Sequence, residues 1–209
     1  MNKKFLSFIL ILFFSCFKNS LIDRISEDYF PLYIGFRSKF LNSRDGEIYY
    51  IEVTKDTLIL GENSKELSFL GERNYFLKKD AFLKRYFKKI FYSGENEYLI
   101  EENFLHFIPS IFIKGEIIID SLKKNFLIEG DTLNYLRKIL IKIEGPSSFC
   151  IGDVEFENTF EVKREFYTRI KFLGEIKEEN KKSYEVYAPS KGLIFYVCEN
   201  DTFKYIGGK

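Results

Sequence analysis

From Gly46 onward the chain consists of short runs in which apolar and polar residues alternate, separated by turn residues. Glu47 to Thr54 (EIYYIEVT) sets Tyr49, Ile51 and Val53 on one face. Lys55 and Asp56 then read as a turn into Thr57 to Leu60, which Gly61 ends. Ile139, Ile141 and Ile143 alternate with Leu140, Lys142 and Glu144. Between Glu161 and Leu173, Val162, Phe166, Ile170 and Phe172 point one way, and Glu161, Lys163, Glu165, Arg169 and Lys171 the other. Tyr184 to Ala188, Leu193 to Glu199 and Thr202 to Ile206 add three more strands. Alternation of this kind marks half-buried strands of an antiparallel sheet with one wet face. Gly130–Asp131 and Asn200–Asp201 suit tight hairpins, because these residues tolerate positive φ. Glu178 to Lys182 (EENKK) reads as a charged loop. The expected fold is mainly β: a curved antiparallel sheet, or an open barrel or sandwich, made of meander hairpins.

One segment carries a different period. Between Asp80 and Gly94, Phe82, Leu83, Tyr86, Phe87, Ile90 and Phe91 recur at helical spacing, with Lys84, Arg85, Lys88 and Lys89 filling the other positions. With Asp80 as N-cap and Gly94 as terminator, the spacing predicts a short helix over 80–93. A hairpin turning at Ser93–Asn96 is the alternative.

Composition supports a folded domain. Apolar residues make up 45% and charged residues 30% of 209, with 24 Phe and 14 Tyr. Such a chain offsets its ordering entropy by burial, and aromatic side chains suit a pleated surface. The formal net charge is +1. Loss of residues 1–15, which hold two lysines and no acid, would make it −1. A near-neutral domain has no general electrostatic attraction to polyanions, so nucleic acid is not an expected partner.

The amino terminus reads as an export signal. Lys3 and Lys4 precede the apolar run Phe5 to Phe14, which Ser7 alone interrupts. Ten residues are too few to span about 30 Å of hydrocarbon as a helix, but they match the core of a secretory signal. Phe13 to Cys16 (FFSC) resembles the lipobox of bacterial lipoproteins, in which a small residue precedes the cysteine that receives lipid. That resemblance implies signal peptide 1–15, lipid attachment at Cys16 and a tether over 16–27; the alternating runs beyond it are expected to form one β-rich domain over 28–209. Several acyl chains would give stable anchoring where a single chain does not. Cys150 and Cys198 remain, and an oxidising compartment permits a disulfide between them. Two separate thiols packed as small hydrophobes are the other reading.

Phe30 to Gly35 (FPLYIG) and Ile108 to Gly115 (IPSIFIKG) each place Pro before an apolar run closed by Gly, a weak echo of two related halves, 28–105 and 106–209. Asp28 to Phe40 (DYFPLYIGFRSKF) also resembles the opening motif, YFPL-x-x-G, of a group of bacterial envelope lipoproteins. Tyr187 to Tyr196 (YAPSKGLIFY) is similar to that group's closing APGVGLV motif, and Gly152 to Tyr167 to a strand segment between them. Arg37 and Phe40 stand where the group has Trp and Tyr, and Ser190 and Lys191 where it has Gly and Val. The resemblance implies a β-rich exported domain and assigns no activity.

No catalytic set emerges. His106 is the only histidine, which leaves no multi-histidine metal site; it reads as a strand or loop residue held by local hydrogen bonds. Phosphate-binding glycine patterns are missing, and no cofactor is expected. Glu101 with Glu102 and Glu178 with Glu179 are adjacent acids, but neighbours on a strand face opposite ways. The leading expectation is an exported, lipid-anchored cell-envelope protein, facing the periplasm or the outer surface, with a non-enzymatic structural or partner-binding role. A carrier of lipid or another hydrophobic ligand comes second, and a secreted carboxylate-dependent hydrolase third.

Overall fold

A computed structural model describes residues 29–208. The signal segment 1–15, Cys16 and the tether lie outside the described residues. Twelve strands follow in chain order: β1 (Arg37–Asn42), β2 (Ile48–Ile59), β3 (Glu62–Phe69), β4 (Glu72–Lys79), β5 (Phe82–Ser93), β6 (Asn96–Pro109), β7 (Ile117–Ile128), β8 (Asp131–Ile151), β9 (Val154–Phe172), β10 (Glu175–Ala188), β11 (Gly192–Cys198) and β12 (Asp201–Gly208). They form one antiparallel sheet in the order β6-β5-β4-β3-β2-β1-β12-β11-β10-β9-β8-β7. Each strand pairs with its sequence neighbour, except that β1 pairs with β12 and consecutive β6 and β7 stand at the two edges. The sheet curls so that the inner face of β5 and β6 meets that of β8, β9 and β10, giving a nearly closed barrel.

Alternation on the long strands sets the core. Leu133, Tyr135, Arg137, Ile139, Ile141 and Ile143 of β8 are buried, and the residues between them are exposed or half-buried. On β9, Val162, Arg164, Phe166, Thr168, Ile170 and Phe172 share the inner face. Ahead of β1, Tyr29, Phe30, Pro31 and Phe36 are buried at one end of the barrel, with Tyr33 to Gly35 exposed. Phe30 packs on Phe76, Phe107 and Tyr187 at centroid distances of 5.4, 5.9 and 6.2 Å. Tyr29 meets Phe112 and Phe160 edge-on, each at 5.3 Å. Segments far apart in the chain converge here: Tyr29 donates its hydroxyl to the Asn158 carbonyl, and Gly192 (φ +73°) lies so close that a Cβ there would sit 3.1 Å from Pro31 Cδ.

The tip of the β8–β9 hairpin bends back over the outside of the sheet. Its Phe149, Ile151 and Phe156 cover Val186, Ala188 and Ile194, a second small core. The bend occurs at Gly145 (φ +122°), where a Cβ would lie 2.7 Å from the Thr159 carbonyl oxygen.

Four local expectations need correction. Residues 82–93 are strand β5 and not a helix. The segment FLKR-YFKK-IF repeats every four residues, a period close to a helical turn but also an even number. On a strand it puts Phe82, Tyr86 and Ile90 on one face and Leu83, Phe87 and Phe91 on the other, each face alternating apolar and basic. Asp80 and Ala81, at φ +55° and +58°, form a two-residue turn in place of an N-cap. Lys55 and Asp56 do not turn: β2 runs straight through them with a bulge beside Val53, and turns at Leu60–Gly61. EENKK is strand, paired with Thr168 to Glu165 and flanking residues of β9. The hairpins near 130 and 200 turn one residue earlier than expected, at Glu129–Gly130 and Glu199–Asn200.

Candidate functional site

The inner face carries charge where a barrel core is usually apolar. Arg164 of β9 is in phase with Val162 and Phe166; Glu185 of β10 is in phase with Tyr187 and 1% exposed. They meet in a bidentate pair, Nε to Oε1 at 3.0 Å and the terminal nitrogen to Oε2 at 2.9 Å. Ser183 donates to Glu185 Oε1 at 2.7 Å and Tyr187 to Oε2 at 2.6 Å. The Arg164 guanidinium carbon lies 4.1 Å from the Phe107 ring centroid. Burial opposes the Arg164 charge, but Glu185 outweighs it and raises its pKa. Burial, reinforced by Glu185, holds the Tyr187 phenol far above its ordinary value.

Arg85 of β5 faces the same space. Its Nε donates to Asn74 Oδ1 at 2.6 Å, and its nearest carboxylate, on Glu72, is 3.6 Å away. Burial pushes its pKa down. Tyr196, also on this wall, is raised by burial and then by Glu185 and Cys198. Between these walls lies a cavity of about 290 Å³, lined on its apolar side by Phe87, Leu105, Phe107, Ile139 and Phe166. A second space of about 620 Å³ shares Arg85, Lys181, Tyr196 and Cys198 with it and leads toward Asp45, Tyr49 and Asp201 at the β1–β2 and β11–β12 turns. The two spaces adjoin at these four shared residues.

A separate polar cluster closes the gap between the edge strands. Glu101 of β6 accepts from Tyr135 at 2.7 Å and from Arg137 Nε at 3.1 Å. Arg137, 4% exposed, also reaches Asp120 of β7 at 3.3 Å. Side chains thus join β6 to β7 and β8 where the main chains do not pair. Burial, then the bond to Glu101, raises the Tyr135 pKa. Glu101 and Asp120 converge, but on Arg137 and away from the cavity, so they present no paired carboxylates to a substrate.

His106 stacks on Phe82 at 4.2 Å, and its Nδ1, 3.6 Å from Asp120, has no hydrogen-bond partner among the described residues. The expected local hydrogen bonding is therefore incomplete. Burial lowers its pKa, although Asp120 pulls the other way. Cys150 and Cys198 are both free, Cys150 exposed on the folded-back hairpin and Cys198 beside the cavity, so no disulfide joins them in this structure. Glu102 turns outward to Tyr86 while Glu101 is buried. Glu179 pairs with Lys89 at 2.9 Å, and Glu178 accepts from Tyr167 at 3.0 Å. Among the described residues, no three His, Cys, Asp or Glu side chains are grouped to hold a metal ion.

Arg164, Glu185 and Arg137 are absent from the sequence-based expectations, where Arg85 enters only as a basic position of the 80–94 run and Glu101 only as one of two adjacent acids. Their signal was phase: Arg137 sits between Tyr135 and Ile139 in an otherwise apolar set, and Arg164 between Val162 and Phe166. A charge in register with a core stripe is a buried charge in need of a partner. Comparison with protein-family models, with curated proteins and with solved structures yields no match to the chain, so the site is characterised by its own geometry.

Proposed function

We propose that this is an exported cell-envelope protein, held to the membrane by lipid on Cys16, whose barrel carries a hydrophobic ligand. The observation that carries the reading is the aromatic-walled cavity between the β5–β6 and β8–β10 faces, which adjoins the larger space behind Tyr196. Ligand sites are concave, mostly apolar and supplied with a few placed polar groups, and this one has that make-up. The reading assigns no reaction, no cofactor and no nucleic-acid partner.

The test uses the mature chain from residue 16, with Cys16→Ser, and N-phenyl-1-naphthylamine as a neutral apolar probe. Saturable fluorescence that shields Cys198, but not Cys150, from alkylation is expected. Loss of both signals would overturn the carrier reading. The anchor is tested separately by intact mass of protein taken from membranes, with and without Cys16→Ala. Unmodified, soluble protein in both cases defeats it.

A second reading, a structural or partner-binding role in the envelope, is favoured by the long hairpin tips. Tyr92, Leu99, Leu127 and Leu173 are more than half exposed there, a cost in water that contact with another protein would recover.

A further inference from the structure

Strand phase decides which basic residues around the cavity enter it. Arg85 shares its face with Leu83 and Phe87, Arg164 with Val162 and Phe166, and Lys181 with Ser183 and Glu185. Lys182 turns outward to Glu165 at 2.8 Å. Arg85, Arg164 and Lys181 therefore share the inner face with two acids of β10, Glu179 and Glu185, and Glu185 is saturated: Arg164, Ser183 and Tyr187 take both its oxygens. Arg85 is bonded to the neutral Asn74, and its approach to an acid is 3.6 Å, to Glu72, itself 77% exposed. Lys181 lies 3.3 Å from Glu179, with both side chains substantially exposed and Glu179 already bonded to Lys89. Exposed pairs of this kind contribute little. Positive charge is thus left over on one side of an apolar wall, and both Arg85 and Lys181 line both adjoining spaces.

We infer that the ligand is an amphiphilic anion, with a carboxylate or phosphate head between Arg85 and Lys181 and an alkyl chain along Phe87, Phe107 and Phe166. The head would complete the charge balance that Glu185 leaves unfinished. A charge-assisted hydrogen bond in a partly desolvated site contributes more than a neutral one. The tail gains about 0.8 kcal/mol for each methylene it buries. A cationic amphiphile of the same length would meet two like charges.

This inference rests on the carrier reading, and its test separates the two. Binding of decanoate, decyl phosphate, decanol and decyltrimethylammonium to the mature chain is measured by displacement of N-phenyl-1-naphthylamine, with Cys198 alkylation as the positional readout. The anions should bind on the order of tenfold or more tighter than decanol, and the cation not at all. Comparing decanoate with decyl phosphate identifies the head group. Lys181→Gln, at an exposed position where folding is not at risk, and Arg85→Gln should each weaken the anions and leave decanol unchanged. Equal affinity for decanoate and decanol, unmoved by either substitution, overturns the anion inference and leaves the carrier reading standing. Preference for the cation overturns it likewise. Failure of all four probes and of the fluorophore removes the carrier reading itself.

Discussion

Glu185→Gln is the sharpest test of how the barrel interior is held. The substitution preserves shape but removes the charge that four donors share: two nitrogens of Arg164, the Ser183 hydroxyl and the Tyr187 hydroxyl, at 2.6–3.0 Å. One carboxylate oxygen becomes an NH2 group that faces an Arg164 donor in either orientation, together with the hydroxyl of Ser183 or of Tyr187. Arg164, with its side chain 12% exposed, then has only the Phe107 face as electrostatic compensation. Removing one partner of a buried pair costs about 3–5 kcal/mol, because the other charge stays buried and unmatched. Set against a total stability of about 5–15 kcal/mol for a domain, that is a large share. Urea unfolding followed by tyrosine fluorescence should show a lower midpoint at unchanged slope. Arg164→Met with Glu185→Leu removes both charges, and should recover much of the loss, as apolar replacement of buried pairs often does. The reasoning fails if Glu185→Gln costs under about 1 kcal/mol, or if the double substitution is merely the sum of the singles.

Three further outcomes are expected. The single His106 resonance in a proton–carbon NMR titration should give a pKa below 6.5, the direction set by burial against Lys84 and Arg137 and opposed by Asp120 and Asp80. Because the folded state then binds its proton less readily than the unfolded chain, this contribution to stability is present above pH 6.5 and is lost as pH falls toward the folded value; a pKa at or above 6.5 contradicts it. Gly145→Ala forces a methyl to within 2.7 Å of the Thr159 carbonyl at φ +122°, so it should lower the thermal midpoint by an amount equivalent to about 1–3 kcal/mol; an unchanged midpoint would show that the bend absorbs it. In the ligand-free mature chain, mass mapping after brief alkylation should find Cys150 modified before Cys198, since Cys150 is exposed and Cys198 only partly so; the reverse order contradicts this arrangement.

The β-meander was readable because the long strands alternate strictly: Ile139, Ile141 and Ile143 point inward as their spacing says. The amphipathic run at 82–93 misled because a repeat of four satisfies a helix and a strand at once, and only pairing with β4 and β6 decides between them. Several hairpins were hidden by unexpected turn residues. Leu60, Leu70 and Leu173 each take φ near +50° ahead of a glycine, a conformation that disfavours leucine and that turn chemistry does not anticipate. EENKK looks like a loop because its charge pattern lacks an apolar face; its strand is imposed by β9 beside it. The cavity was out of reach for a different reason. Arg85, Arg164 and Glu185 are far apart in sequence, and only curling of the sheet brings β5 against β9 and β10.

Pairing of β1 with β12, from Ser38 opposite Gly208 to Asn42 opposite Phe203, has a consequence for the order of events in folding. Every other ladder joins neighbours in the chain and closes a short loop. This one brings together segments about 160 residues apart, at greater entropic cost. The runs β1 to β6 and β7 to β11 can each zip up locally while β12 is still absent, leaving β1 and β11 as bare edges. A chain threaded amino-end first through a membrane pore would therefore emerge as two unsealed curls, and would become a barrel only after its last eight strand residues arrive. The terminal strand acts as a late latch, so trimming it would hold the molecule at the half-assembled stage.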